Sequence, residues 1–235
     1  MTNDRIPKMP SMKHLPWSQE NARQQKWLDE SDAREMFEGR EIVIMEKMDG
    51  ANACMTKENV YARSHSGEPH REEWDYLKKF HSEKYMHKIP ENMAIFGEYL
   101  YARHSIKYEE LPNYFLAFGV YHEPSGRWLS WQKTKKVANL VGVPTAPVIE
   151  KTIIGEKDEW PKHSIVNEYP HIEGRKPEGT SEFGDTREGY VIRNADSFKL
   201  DKLTENMAKC VREDHVQTEE LHWRKGNSIE TNDLI

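Results

Sequence analysis

The stretch Ile42-Val43-Ile44-Met45-Glu46-Lys47-Met48-Asp49-Gly50 joins a short apolar segment to a lysine and then to a turn. Its first four residues are apolar and partly β-branched, which predicts a buried strand. Asp49-Gly50 is a turn signal, so Lys47 is expected at the strand end. A lysine whose stem packs against apolar neighbours can lose its charge and become a nucleophile. The alternative interpretation is an ordinary surface turn.

Four further segments follow downstream, and with Lys47-Met48-Asp49-Gly50 they make an ordered set. They are Ile95-Phe96-Gly97-Glu98-Tyr99-Leu100, the aromatic strand 114–121, Glu188-Gly189-Tyr190-Val191-Ile192-Arg193 and Ala208-Lys209-Cys210-Val211-Arg212. The set resembles the motifs of the covalent nucleotidyltransferases, which are ATP-dependent DNA and RNA ligases and mRNA capping enzymes. In that superfamily the lysine attacks the α-phosphate of a nucleotide and carries the nucleoside monophosphate.

Three longer stretches are similar to a phage and bacterial group of RNA ligases that includes an enzyme sealing nicks in duplex RNA. They are Lys47-Met48-Asp49-Gly50-Ala51-Asn52, residues 98–106 and residues 215–223. The resemblance implies an α+β fold: a nucleotidyltransferase, or ligase adenylation, domain with two antiparallel sheets flanked by helices around a nucleotide cleft. It also implies ATP and Mg²⁺ or Mn²⁺ as cofactors, and RNA ends in nicked duplexes or single strands as partners.

The same resemblance assigns the catalytic roles. Lys47 would take AMP from ATP, Glu188 would hold the divalent metal, and Lys209 would neutralise the α-phosphate. An unperturbed lysine is neutral in roughly one molecule in 2,500 at pH 7, so its deprotonation costs a free energy of about 4.6 kcal/mol. A desolvated pocket and neighbouring cations are therefore expected to lower the pKa of Lys47.

The cofactor-binding set implied by the resemblance is larger. Glu98 would contact the ribose, Phe118 would stack on the adenine and Arg63 would reach phosphate. Phe115 is expected in the core instead. The full predicted set is Glu46, Lys47, Asn52, Arg63, Glu98, Phe118, Glu188 and Lys209.

The fifth motif departs from the family pattern, which is Lys-x-Lys. Lys209-Cys210-Val211 lacks the second lysine, and Phe198-Lys199-Leu200 is an alternative. We favour Lys209 because its neighbours have the small, apolar character of a buried strand. Lys199 lies beside Asp196 and Asp201, where a solvated salt bridge is the ordinary use.

Length and composition limit the number of domains, the cellular location and the kind of partner that can be expected. The 235 residues suit a single RNA ligase domain spanning 1–235, with an irregular or short-helical lead-in over 1–40 and no C-terminal barrel. The two cysteines lack metal-ligand spacing, and the first residues do not resemble a secretory signal, which favours a cytoplasmic protein. No apolar run is long enough for a membrane span, and no obligate protein partner is expected. The net charge of −6 argues against a polyanion partner, although local basic stripes can override it.

Local patterns predict the remaining elements. Strands are expected at 51–56, 60–64, 95–99, 114–121, 189–193 and 208–211. A helix over 33–37 would be capped by Ser31-Asp32, an amphipathic helix would span 71–88, and Ser130 would cap a helix ending at Gly142. Residues 150–187 are weakly patterned and are predicted to be a peripheral helix plus loops.

RNA contacts are ranked by charge alone. Arg103, His104 and Lys107 come first, followed by the cluster at 133–136. His215 and His222 lack a partner at metal-site spacing and are interpreted as packed or capping residues. Two other functions remain open: a nucleotidyltransferase with another acceptor or nucleotide, such as DNA nicks or GTP, and a binding module that has lost its chemistry.

Overall fold

A computed structural model describes residues 6–18, 26–63, 68–155, 178–212 and 229–235 of the protein. Within these ranges the fold is α+β, with two sheets that face each other and few helices, as predicted. The predicted residues Ser64, His215 and His222, and most of the segment 150–187, lie outside the described residues. None of the described helices has the length and apolar character needed to cross a membrane.

The first sheet carries the Lys47 strand in its interior. Its order is β1-β11-β9-β2-β8, and its strands are β1 (Lys13–His14), β2 (Glu41–Glu46), β8 (Val148–Ile153), β9 (Gly189–Asn194) and β11 (Met207–Val211). All neighbours are antiparallel except β1 and β11, which run parallel. Four of the six residues of β2 are apolar and buried, which fits its place between β9 and β8.

The second sheet is antiparallel throughout. Its order is β10-β7-β6-β5-β3-β4, and its strands are β3 (Ala51–Met55), β4 (Val60–Ala62), β5 (Met93–Tyr99), β6 (Phe115–His122), β7 (Arg127–Trp128) and β10 (Phe198–Lys199). One core cluster contains residues from both sheets, including Val43 and Val191 from the first and Phe96 and Trp128 from the second. The two sheets therefore share a core.

In the part of the chain that the structure describes, three α-helices flank the sheets: α1 (Glu30–Phe37), α2 (Asp75–Phe80) and α3 (Trp131–Val141). Helix α3 matches its prediction, because the Ser130 side chain accepts a hydrogen bond from Lys133 N and Gly142 ends the helix in the left-handed region. The predicted cap of α1 was wrong. Asp29, not Ser31 or Asp32, is the N-cap, and its side chain accepts a hydrogen bond from Asp32 N.

Two other predictions are corrected. The predicted helix 71–88 is divided into a 3₁₀ turn at Glu72–Trp74, helix α2 and a π-helical turn at His81–Tyr85, although its core-facing side chains are buried as expected. The start of the segment 150–187 is not a helix but part of strand β8. This edge strand has no alternation of buried and exposed side chains, so its sequence lacked the pattern of a strand.

Candidate active site

Lys47 lies directly after β2, and its backbone is closely packed against neighbouring segments. Its amide donates a hydrogen bond of 3.0 Å to the carbonyl of Gly189. Gly189 has φ +154°, and a Cβ there would overlap the carbonyl of Cys210. Gly50 packs as closely, since a Cβ there would lie 2.6 Å from the carbonyl of Tyr99. Both glycines are therefore required for the close approach that places Lys47.

The carboxylate of Asp49 fixes the turn that follows Lys47. Its Oδ2 accepts hydrogen bonds from Ser105 N at 2.8 Å, Ser105 Oγ at 2.6 Å and Ile106 N at 3.0 Å. The amide of Asp49 donates to the hydroxyl of Tyr108 at 2.8 Å. The loop between β5 and β6 thus holds the turn through four hydrogen bonds.

A cavity of about 770 Å³ lies between the two sheets. Seven of the eight predicted cofactor-binding residues line it: Glu46, Lys47, Asn52, Arg63, Glu98, Phe118 and Lys209. The eighth, Glu188, contacts Lys47 directly through an ion pair. The motifs that the sequence separates by as much as 162 positions, from Lys47 to Lys209, therefore meet at one cavity.

Lys47 is held as an ammonium in the ligand-free protein. Its Nζ forms a hydrogen-bonded ion pair with Oε2 of Glu188, and the two side chains are 21% and 8% exposed. Burial lowers the pKa of Lys47, but the carboxylates of Glu188 and Glu98 outweigh burial and raise the pKa above its usual value. The expectation that a desolvated pocket and neighbouring cations would lower this pKa is not met in the ligand-free protein.

Two other groups in the cavity have strongly shifted pKa values. Burial raises the pKa of Glu98 to about 8, although Lys47 opposes the shift. Burial, together with the positive charge of Lys47, lowers the pKa of Lys209 to about 8. A neutral carboxyl and a readily deprotonated amine thus line the same cavity near neutral pH, an arrangement that is typical of functional sites.

The segment of residues 9–13 forms part of the cavity wall, which the sequence did not predict. Arg63 donates a hydrogen bond of 2.6 Å to Ser11 Oγ, and Asn52 Nδ2 lies 3.4 Å from the sulfur of Met9. Lys13 and Lys26 also line the cavity. Strand β1 brings this part of the chain to the cavity, because its His14 pairs with Lys209. A strand of two residues is too short to give a hydrophobic pattern in the sequence, so it could not be predicted.

The amide oxygen of Asn52 is a buried acceptor without a partner in the described residues. Buried polar atoms are nearly always hydrogen-bonded, so this orphan oxygen at the cavity wall fits a site that a ligand completes. Asn52 faces Glu98 across the β3–β5 pair, which places both side chains on the same wall.

Glu46 makes structural contacts that the sequence did not predict. Its carboxylate accepts hydrogen bonds from Ser181 Oγ at 2.5 Å and Glu182 N at 3.0 Å, and burial raises its pKa. These contacts tie the end of β2 to the loop that leads to Glu188. The predicted contact of Glu46 with a nucleotide stays a prediction, supported by its place on the cavity wall.

Phe118 and Phe115 differ in burial, as expected. Phe118 is half-buried at the cavity, whereas Phe115 is fully buried in the core. The backbone of Phe118 is fixed by Arg193, whose guanidinium donates to the carbonyls of Phe118 at 3.2 Å and Leu129 at 2.8 Å. Arg193 is fully buried, and it was not among the predicted site residues.

The other predicted cations lie away from the cavity wall. Lys199 is exposed on β10, so the structure brings Lys209 rather than Lys199 beside Lys47. Arg103 and Lys107 form ion pairs with Glu230 and Asp233. The remaining candidates for RNA contact are His104, which is largely buried 3.9 Å from Asp49 Oδ1, and the exposed Lys133, Lys135 and Lys136.

The donor set at Glu188 is compatible with magnesium or manganese. Within the described ranges, no three His, Cys, Asp or Glu side chains form a metal cluster. Magnesium, however, is commonly held by one or two carboxylates together with water and substrate phosphates. Glu188 would supply such a carboxylate, and its negative charge adds to burial in raising the pKa of the neighbouring Glu98.

Comparisons with known proteins agree with this architecture. Two structures of the RNA ligase of Naegleria gruberi, a mutant with ATP and Mn and the enzyme with PPi, match with TM-scores of 0.51 at 14% and 15% identity. The match covers 88% of this chain in both cases but only 57% and 60% of those chains. No curated protein sequence matches. A family model described as RNA ligase matches residues 40–211. The chain belongs to the RNA ligase family.

Proposed function

We propose that the protein is an ATP-dependent RNA ligase that joins 5′-phosphate and 3′-hydroxyl RNA ends. The observation that carries the proposal is the meeting of Lys47, Glu98, Glu188 and Lys209 at one cavity in an RNA ligase family fold. The Naegleria gruberi ligase determined with ATP and Mn supports the choice of nucleotide and metal.

In the first step, Lys47 must leave Glu188 and lose a proton before it can attack. The neutral Nζ then forms a bond to the α-phosphorus of ATP, the bond from that phosphorus to the bridging oxygen breaks, and pyrophosphate leaves. Lys209 would neutralise charge on the α-phosphate, a role supported by its place on the cavity wall and by its closeness to Lys47, whose charge lowers the pKa of Lys209. A divalent ion held by Glu188 would supply further neutralisation of the phosphate oxygens.

The nucleoside would lie against the second sheet. Phe118 offers a half-buried aromatic face for the adenine. Glu98, with a pKa of about 8, is neutral at pH 7 and can both donate and accept a hydrogen bond with ribose hydroxyls. Arg63, Lys13 and Lys26 place three more cations along the wall for phosphate groups.

The remaining two steps consume the adenylated lysine. A 5′-phosphate oxygen of RNA attacks the phosphorus of AMP and releases Lys47, and a 3′-hydroxyl then displaces AMP as the phosphodiester forms. We further propose that residues 1–235 act as one ligase domain, supported by the core cluster that both sheets share.

The test is incubation of the protein with labelled ATP and magnesium, followed by a sealing assay on matched RNA, DNA and hybrid nicks. We expect a covalent AMP adduct, loss of the adduct in Lys47→Ala, and its retention in Lys57→Ala, a control at an exposed lysine that pairs with Glu91. Sealing of DNA but not RNA would reassign the acceptor. No adduct across varied metals and pH would favour a binding module without chemistry.

Nucleotide choice is a separate prediction. We expect faster labelling with ATP than with GTP at equal concentration, because the family is that of RNA ligases rather than capping enzymes. Initial rates of adduct formation with each labelled nucleotide measure the preference. A faster rate with GTP would reverse it.

A further inference from the structure

Asn232 joins the segment of residues 229–235 to the loop between β5 and β6. It is 1% exposed, and its side chain donates to the carbonyl of Leu100 at 2.7 Å and accepts from Tyr108 N at 2.9 Å. Its own amide donates to the carbonyl of Tyr101 at 3.1 Å, and its carbonyl accepts from Tyr114 Oη at 2.9 Å. One residue thus satisfies four polar groups of this loop.

Tyr108 extends the connection to the nucleophile. Its amide is held by Asn232, and its hydroxyl accepts the hydrogen bond from the amide of Asp49. Asp49 is two residues from Lys47, and its carboxylate is held by Ser105 and Ile106 of the same loop. A continuous path of hydrogen bonds and buried side chains therefore leads from Asn232 to the Lys47 turn.

The segment has polar contacts of two other kinds. Backbone hydrogen bonds also join it to the loop. The ion pairs Arg103–Glu230 and Lys107–Asp233 lie at the surface, where Glu230 is 72% exposed and Asp233 is 58% exposed. Exposed ion pairs contribute about 0–1 kcal/mol. The side-chain amide of Asn232 differs from these ion pairs because it is buried and both donates to the loop and accepts from it.

We propose that Asn232 is a positioning residue for Lys47, which it acts on through Tyr108 and the Asp49 turn. The inference rests on the proposed function, because it concerns the step in which Lys47 attacks ATP. It predicts an effect that differs between reaction steps. Formation of the lysyl-AMP adduct needs Lys47 in place, whereas sealing of RNA that is already adenylated does not use the lysine as a nucleophile.

The experiment compares these two reactions in Asn232→Ala, well below its melting temperature. We expect single-turnover adenylation at saturating ATP to fall about tenfold or more, since misplacing a reacting group by about 1 Å can cost ~10²-fold. The concentration of ATP giving half-maximal rate should stay within about twofold, and sealing of pre-adenylated RNA should keep most of its rate. An equal loss in both reactions, or no loss in a folded variant, would overturn the proposal.

Two further variants keep the test decisive. The double variant Glu230→Gln, Asp233→Asn removes the surface ion pairs and is the matched control, with both reactions expected to be unchanged. If Asn232→Ala does not fold, Tyr108→Phe removes only the hydroxyl that accepts from Asp49, and it must show the same selective loss of adenylation. Failure of the unmodified protein to form any adduct would instead count against the proposed function.

Discussion

At the scale of single residues, the charge of Lys47 is the central feature of the site. The sequence predicts an amine that its pocket makes neutral, yet the protein holds an ammonium paired with Glu188. The reason is electrostatic: burial disfavours the charge, but two nearby carboxylates favour it more. Glu188 lies 141 positions from Lys47 in the chain, so no local pattern could reveal this pair.

Replacing Glu188 should reverse this balance. We predict that Glu188→Gln lowers the pKa of Lys47, because burial remains while its main opposing charge is removed. The measurement is a pH titration followed by NMR of proteins labelled at the lysine ε-carbon, with the Lys47 signal assigned from Lys47→Arg. The control Glu58→Gln, at an exposed position, should leave the midpoint unchanged. An unchanged or higher midpoint in Glu188→Gln would contradict the role given to this pair.

At the scale of elements, a strand or helix could be predicted from the sequence when burial gives it a clear hydrophobic pattern. Strand β2 and helix α3 were predicted because a strand in the interior of a sheet has a run of apolar residues and this helix has capping residues at both ends. Strand β8 was missed because it is a half-exposed edge strand, and β1 because it exists only through pairing with β11. Tertiary contacts, rather than local sequence, form such elements.

Strands β11 and β10 offer the two candidate lysines of the fifth motif. We predict that Lys209→Ala lowers the initial rate of adenylation by about 10²-fold or more, the scale of losing a preorganised electrostatic donor. Lys199→Ala should do far less, because Lys199 is exposed on β10 and does not line the cavity. Initial rates with labelled ATP decide between them, and a reversed order would move the motif to Lys199.

Strand β9 places a fully buried guanidinium between the sheets. Arg193 donates to three backbone carbonyls and lies 5.4 Å and 5.8 Å from the rings of Phe198 and Trp131. We predict that Arg193→Met destabilises the protein by about 2–5 kcal/mol, since buried acceptors left without donors cost about 1–3 kcal/mol each. Urea unfolding measures this loss. The exposed control Arg40→Met should change stability by less than about 0.5 kcal/mol, and a loss that small in Arg193→Met would contradict its role.

At the scale of the whole molecule, the site is a concentration of charge at the cleft of a protein with net charge −6. The ordered motifs were enough to predict the residues that meet there, because each motif lies on a strand or directly beside one. Contributions from segments without a motif, such as Lys13, Lys26 and Asn232, could not be predicted. They reach the site or its supporting loop only through the packing of chain segments distant in sequence.

The shifted pKa values of Glu98 and Lys209 should make the stability of the ligand-free protein depend on pH. Between about pH 5 and 8, folded Glu98 holds a proton that the unfolded chain has lost, so stability falls as the pH rises. Between about pH 8 and 10, the unfolded chain holds a proton that folded Lys209 has lost, which by itself would raise stability. The buried thiols of Cys54 and Cys210 oppose this rise, because burial raises their pKa values and they keep protons that the unfolded chain loses near pH 9. The melting temperature is therefore expected to decline from about pH 5 to 8.

The variant Glu98→Gln isolates the contribution of Glu98 to this decline. It removes the group that loses its proton, so the decline in melting temperature from pH 5 to 8 should become shallower, leaving the part due to Glu46, whose pKa is also raised. Calorimetric scans at fixed ionic strength, without nucleotide or metal, measure it. The control Glu91→Gln should keep the full decline, because Lys57 lowers the pKa of Glu91, so this group does not reduce stability as the pH rises. An equally steep decline in Glu98→Gln would mean that Glu98 is ionised across this range, and the cavity would then bind the ribose with a carboxylate that only accepts hydrogen bonds.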